Sequence, residues 1–216
     1  MAYSHILFDH DGVLVDTEHL YYRATSETLA TVGLEFGLLD YLSLQAEGGN
    51  AWTGMTGRGY SDRDIEAKKD ERNRLYQKYL VTEEIDIPDV LDTLELLKPS
   101  FGMAIVTTAK QTDFDLIHEH REITQYMDLI LTNKDYERSK PYPDPYLAAL
   151  DHFGIEPQNA LVVEDSERGL RSAVAAGIDC AVIHHPFTEP QDFSSATYRL
   201  SALSDLIGLL LGNNDL

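Results

Sequence analysis

Seven residues in four short stretches of this chain could do chemistry together. Asp9 and Asp11 follow the apolar run ILF, and Thr107 and Thr108 follow MAIV. Lys140 lies in RSKPYPD, and Glu164 and Asp165 follow LVV. An acid just after a strand is, taken alone, more often a helix cap than a catalyst. Three acid sites, a hydroxyl pair and a lysine at four such places are harder to explain as capping. Carboxylates converging from two strands make a hard oxygen site suited to Mg²⁺, which takes one or two carboxylates plus waters and a phosphate. A carboxylate meeting a phosphate dianion is repelled by about 4 kcal/mol per charge pair at ~4 Å and an effective dielectric near 20. An aspartate can therefore attack phosphorus only where cations offset that repulsion. Mg²⁺ and Lys140 are the available cations, and Thr107 can donate a hydrogen bond to a phosphate oxygen. The cluster reads as a phosphate site run through a metal.

These residues need a frame that gathers them. Apolar, β-branched runs alternate with helical patterns, which predicts βαβ units and a parallel sheet. The expected strands are His5–Phe8, Met103–Val106, Leu129–Leu131, Ala160–Val163 and Ala181–Ile183. Pro88 suits the first turn of a helix through DVLDTLELLK. Asp144 and Pro145 can cap and open another, which Gly154 ends, and Ser166 can cap a third, which Gly177 ends. In such a doubly wound sheet ligands bind at the carboxyl ends of the strands, where all four stretches fall.

Residues 17–86 break the alternation: they hold no convincing strand but three helical patterns, Glu18–Val32, a stretch around Tyr41–Gln45, and Arg63–Tyr79. The expected fold is a Rossmann-like α/β core of residues 1–16 and 87–216 with an all-helical cap inserted at 17–86. Gly54, Gly57 and Gly59 mark a loop within the cap. Its basic residues (among them Arg63, Lys68, Lys69, Arg72 and Arg74) are interleaved with acids. Asp64–Lys68 and Asp70–Arg74 have i,i+4 spacing, so the expectation is a solvated face with weak ion pairs. Arg58 stands apart, in the glycine loop with no nearby acid before Asp62.

The 216 residues carry 37 Asp and Glu against 17 Lys and Arg, a formal net charge of −20. That balance argues against nucleic-acid and anionic-membrane surfaces, which want basic stripes. The one cysteine, Cys180, excludes an internal disulfide and a cysteine metal site and is expected to be structural. Ile6–Phe8 is too short for a signal peptide and LIGLLLG too short to span a bilayer. A cytoplasmic protein, monomeric or weakly homo-oligomeric, is the default expectation.

The combination DHDGVLVDTE, AIVTT, SKPYPDPYL and VVEDSERGLRSAVAAG, in that order over residues 6–177, resembles the haloacid dehalogenase-like hydrolase superfamily. The likeness is to the helical-cap subgroup of phosphatases and β-phosphoglucomutase-like members. It implies that Asp9 is a nucleophile forming an aspartyl-phosphate, and that Asp11 protonates the leaving group and then activates water. It implies that Thr107 and Lys140 hold the phosphoryl group, with Thr108 beside them. Mg²⁺ would be held by Asp9, the backbone carbonyl of Asp11 and Asp165, with Glu164 as a further ligand or supporting acid. The substrate would be a small phosphorylated metabolite.

The resemblance also separates chemistries. Dehalogenating members lack the acid at Asp11, and members that cleave carbon–phosphorus bonds need a cap lysine for which no position here is convincing. The mutase-like members carry a histidine four residues after the threonine of DGVLVDT. Here that position is Tyr21, with His19 two residues off, which favours hydrolase over mutase. A phospho-accepting receiver module also uses acids, a threonine and a lysine, but its acid pair precedes the acceptor strand, and here a second acid pair comes last. Glu18, Tyr21, Trp52, Thr56, Arg58 and Tyr60 are the cap candidates for facing substrate, Glu18 and Arg58 foremost, with packing or a surface place the alternative for each and packing the commoner role of Trp52 and the tyrosines. His10, between the two aspartates, is expected to point away from their shared face if the backbone is extended, packing or hydrogen-bonding behind the site.

Overall fold

The computed structural model describes residues 3–47 and 49–212, and these fall into two compact units, Met1–Asp16 with Asp86–Leu216 and Thr17–Ile85. In chain order the elements are β1 (His5–Phe8), α1 (Glu18–Ala30), α2 (Leu38–Glu47), α3 (Thr53–Gly57), α4 (Asp62–Thr82) and α5 (Val90–Leu97). There follow β2 (Gly102–Val106), α6 (Gln111–His118), β3 (Leu129–Leu131), α7 (Asp144–Phe153) and β4 (Ala160–Glu164). The chain then forms α8 (Glu167–Ala175), β5 (Asp179–Ile183), β6 (Tyr198–Leu200) and α9 (Asp205–Leu210). No described helix is long and apolar enough to cross a membrane.

In the first unit the strands form one parallel sheet in the order β3-β2-β1-β4-β5-β6. The chain steps outward from β1 to β2 and β3, then returns to the other side of β1 as β4. The switch in direction therefore lies between β1 and β4, where open α/β sheets bind ligands. The central strands are apolar on both faces because helices cover both. Leu7, Ala104, Val106 and Val162 share one core with Tyr146 and Ala149 of α7 and Leu170 and Ala173 of α8. The alternate residues Ile6, Phe8, Met103, Ile105, Leu161 and Val163 are buried on the opposite face.

The five strands expected from sequence are present, three of them one or two residues longer, and β6 is an addition whose YRL sequence carries too little apolar signal. Two helix starts differ from expectation. Pro88 stays outside α5, because Asp89 takes a left-handed conformation with φ 63° before the helix begins. Asp144 makes no capping bond; both its carboxylate oxygens accept from Arg138 at 2.9 Å. Ser166 does cap α8, accepting from the Gly169 N–H at 3.1 Å.

The second unit holds α1, α2, α3 and α4 joined by loops, with no strand among its described residues. Leu29, Trp52, Met55 and Ile65 form its core. The glycine stretch expected as a loop instead forms α3, because buried Met55 anchors that turn, and only Gly59 beyond it takes a positive φ of 82°. The ion pairs on α4 run at i,i+3 spacing, Lys68–Glu71 at 2.7 Å and Lys69–Glu66 at 2.6 Å, while Asp64 closes a capping box with Ser61. Arg72 departs from the expected solvated face. It is 7% exposed, with its guanidinium 4.2 Å from the Tyr21 ring centroid and donating to Thr25 Oγ1 at 3.2 Å. Its spacing of seven from Ile65 and four from Tyr76 puts it on the buried stripe of α4.

Gly169, in the first turn of α8, packs so closely on the end of β4 that a Cβ there would overlap the Glu164 carboxylate. Glycine to alanine in an unobstructed helix interior gains roughly 1 kcal/mol. Here Gly169→Ala is expected to reverse that sign and destabilise by about 1–3 kcal/mol through overpacking, read as a lowered thermal midpoint. An unchanged or raised midpoint would contradict the packing described.

Candidate active site at the carboxyl ends of three strands

The parallel register sets the first contact. Phe8 pairs with Val163, and the Asp9 N–H continues the ladder to the Val163 carbonyl at 2.8 Å. Asp9 and Glu164 thus stand side by side at the ends of β1 and β4, on the face that α7 and α8 cover. Lys140 enters from the loop between β3 and α7 and is 5% exposed. Its ammonium donates to Asp9 Oδ1 at 2.5 Å, to Glu164 Oε1 at 2.7 Å and to the Val106 carbonyl at 2.9 Å. Those three acceptors use its three N–H donors. Glu164 is held further by the Tyr146 hydroxyl at 2.7 Å and the Ser166 hydroxyl at 3.0 Å.

The charges do not balance among these residues. Burial alone would lower the Lys140 pKa, but Asp9 and Glu164 outweigh it and hold the ammonium above its ordinary value. Burial alone would raise Glu164, yet Lys140 and the hydroxyl donors pull it below the carboxylate range. Asp9 is left with the deficit: burial first and Glu164 second push it up to about 7 against the pull of Lys140. One buried lysine cannot serve two buried carboxylates and the neighbouring acids as well.

The same geometry fits a divalent cation. Carboxylate oxygens of Asp9, Glu164 and Asp165 lie within 4.8 Å of one another, a hard oxygen set with excess negative charge. Gly12, with φ 82°, makes room for it, since a Cβ there would overlap the Asp165 carboxylate. Thr188, buried in the loop after β5, donates to the Asp165 carbonyl at 2.7 Å and fixes that backbone. No spacing rule pointed to Thr188, or to Tyr146, whose place in PYLAALDHF reads only as core.

Thr107, fully buried beyond β2, accepts from the Ala109 N–H at 3.0 Å and lies 3.4 Å from Asp11 Oδ2. The Tyr136 hydroxyl donates to the Thr107 carbonyl at 2.7 Å. Thr108 is half-buried beside it. The backbone after Asp9 is not extended: Leu14 N–H bonds to the His10 carbonyl at 2.9 Å in a turn around Gly12. His10 does lie behind the site, fully buried, but the turn brings its Nδ1 to 3.4 Å from Asp11 Oδ2, so it does not point away from Asp11.

Asp9, Asp11, Thr107, Lys140, Glu164 and Asp165 are therefore gathered in one unit. The expected cap residues belong to the other. There the Glu18 carboxylate accepts from the Tyr41 hydroxyl and the Gln45 amide, both at 2.5 Å. Arg58 is exposed and donates to the Val32 carbonyl at 3.0 Å. Thr56 and Tyr60 are exposed, Tyr21 is half-buried, and Trp52 is buried in the helical core.

Comparison with known proteins gives a consistent result. The family model for haloacid dehalogenase-like hydrolases matches residues 6–183. Protein CbbY of Rhodobacter capsulatus is 30% identical over 216 residues, spanning 94% of this chain and 95% of that one. The fructose-1-phosphate phosphatase YqaB of Escherichia coli is 26% identical over 82% of this chain and 94% of its own length. The crystal structure of CbbY from Rhodobacter sphaeroides in complex with phosphate superposes with a TM-score of 0.79 at 25% identity, covering 94% of this chain and 96% of that one. With the family model covering most of its length and the acid, lysine and threonine positions gathered on one sheet edge, this chain belongs to the haloacid dehalogenase-like hydrolases.

Proposed function

We propose that this protein is a Mg²⁺-dependent phosphatase that hydrolyses a small phosphomonoester, of the sugar or polyol phosphate type, through an aspartyl-phosphate on Asp9. The observation that carries this is the Lys140 ammonium shared between Asp9 and Glu164 inside a three-carboxylate cluster at the topological switch point. It puts a nucleophile, one resident cation and room for a second where a phosphate would meet them. YqaB, named as a fructose-1-phosphate phosphatase, supports both the reaction class and the substrate class. A cytoplasmic location fits the single buried thiol, Cys180.

In this reading an Asp9 carboxylate oxygen attacks phosphorus, forming the acyl phosphate as the ester P–O bond breaks. Asp11, protonated, gives its proton to the departing alkoxide oxygen. The Asp11 carboxylate then takes a proton from water as that water attacks the phosphoryl group, releasing inorganic phosphate and regenerating Asp9. Thr107 Oγ–H and the Lys140 N–H that meets Asp9 before substrate binds turn to the phosphoryl oxygens, with Thr108 alongside. Asp9, the Asp11 carbonyl, Glu164 and Asp165 would hold Mg²⁺, which when bound offsets the carboxylate charge and polarises the phosphoryl oxygen. Glu18 and Arg58 of the helical cap, residues 17–86 on this reading, are proposed to contact the organic part of the substrate.

Phosphate release from an aryl phosphate is expected to require added Mg²⁺ and to stop on chelation. Asp9→Asn is expected to abolish turnover, and Asp11→Asn to lower kcat by about 10²–10⁴-fold. Full activity without a divalent ion, or in Asp9→Asn, would overturn the mechanism.

The mutase alternative makes a different product. With glucose 1-phosphate the expected product is free phosphate, measured colorimetrically; glucose 6-phosphate accumulating in its place would reassign the chemistry.

A further inference from the structure

His10 and His118 form a pair that the proposed mechanism leaves unused. His10 Nε2 lies 2.9 Å from His118 Nε2 at the end of α6, and His10 Nδ1 faces Asp11 Oδ2. Phe114, one turn earlier on α6, packs against both rings, with centroids 5.1 Å from His10 and 4.4 Å from His118. The partners decide the protons. A nitrogen that faces a carboxylate oxygen is satisfied only as an N–H donor, so His10 carries its hydrogen on Nδ1. With its hydrogen on Nδ1, His10 offers Nε2 as an acceptor, so His118 donates from Nε2. That leaves His118 Nδ1 bare, and this atom is buried and without a hydrogen-bond partner among the described residues. A proton there would be a buried donor with no acceptor, the costlier outcome. Burial and the neighbouring His10 hold His118 far below its ordinary pKa, at about 3, which agrees with a neutral ring. One arrangement satisfies the whole chain: His118 Nε2–H to His10 Nε2, and His10 Nδ1–H to Asp11.

We propose that His10 and His118 are positioning residues for Asp11, a two-imidazole relay that fixes the rotation of the acid–base carboxylate through its Oδ2. The inference rests on the reading of Asp11 as acid and base. Thr107 Oγ1 also lies 3.4 Å from Oδ2, and once its one proton turns to the phosphoryl oxygen the His10 Nδ1–H stays on the carboxylate. A carboxylate side chain that is 22% exposed is thereby held in one orientation while it hands a proton over and takes one back. Phe114 and the hydrophobic surroundings keep the rings from exchanging partners.

The test is steady-state kinetics with Mg²⁺ and an aryl phosphate, with thermal unfolding measured on each variant. His10→Leu is expected to lower kcat by about 10–100-fold while KM stays within roughly twofold, the mark of lost orientation rather than lost binding. His10→Asn, whose amide nitrogen can occupy the Nδ1 position, is expected to recover most of that loss, and His10→Gln, which reaches only the Nε2 position, is not. His118→Phe is expected to give an intermediate fall. A folded His10→Leu with wild-type kcat, or His10→Asn no better than His10→Gln, overturns the relay. If His10→Leu does not fold, the Asn and Gln pair alone decides. Wild type against Asp11→Asn separates the two levels: an inactive wild type removes the phosphatase reading and the relay with it, whereas an active wild type with insensitive His10 variants removes the relay alone.

Discussion

The contact on which the rest of the site depends is the Lys140 ammonium held between Asp9 and Glu164. Buried ion pairs recover their desolvation cost only when the remaining hydrogen-bonding groups are also satisfied. Here they are: the third ammonium hydrogen goes to the Val106 carbonyl, and Glu164 takes hydroxyls from Tyr146 and Ser166. The ammonium therefore ties the ends of β1, β2 and β4 to the loop after β3. Removing either acid would leave a buried cation half-compensated, and removing the lysine would leave two buried carboxylates facing each other.

That single cation also explains why the site is poised rather than neutral. Glu164, with the most donors, keeps its charge, and Asp9 is left short of compensation, its pKa pushed up to about 7 chiefly by its own burial and by Glu164. A site arranged this way favours arrival of a further positive charge beside Asp9 and Asp165, whose carboxylate is admitted by the missing side chain at Gly12. Asp11 belongs to a different regime. It opens the turn, partly exposed, with His10 Nδ1 and Thr107 Oγ1 each 3.4 Å from its Oδ2. Two aspartates two residues apart are thus given unlike surroundings by one tight turn, the condition that the proposed division into nucleophile and acid–base group requires.

Much of this is legible in the sequence. The strand–acid and strand–hydroxyl boundaries located Asp9, Asp11, Thr107, Glu164 and Asp165, because a parallel strand buried on both faces is nearly pure β-branched and aliphatic residues and ends abruptly where polar ones begin. Lys140 was found for the same reason, as a cation in a loop that must return to the same sheet edge. Helix ends were less readable. Asp144 has the sequence of a cap but finds Arg138 instead, and Pro88 is kept outside α5 by the left-handed Asp89 that follows it, which no residue type announces. Arg72 was grouped with surface charges, although its spacing to Ile65 and Tyr76 already placed it on the buried stripe.

By itself the sequence determined the kinds of chemical groups and the strand ends that carry them, since those follow from local patterning and the parallel sheet that patterning implies. Only the tertiary structure decided how the groups share protons and charge. Whether Lys140 serves Asp9, Glu164 or both depends on strand register, a relation between residues more than a hundred positions apart. Whether His10 turns toward or away from Asp11 depends on the turn at Gly12 and on α6 supplying His118 and Phe114. Hydrogen bonds and burial are properties of neighbours in space, and it is those neighbours, set by folding, that make six ordinary polar side chains into one site.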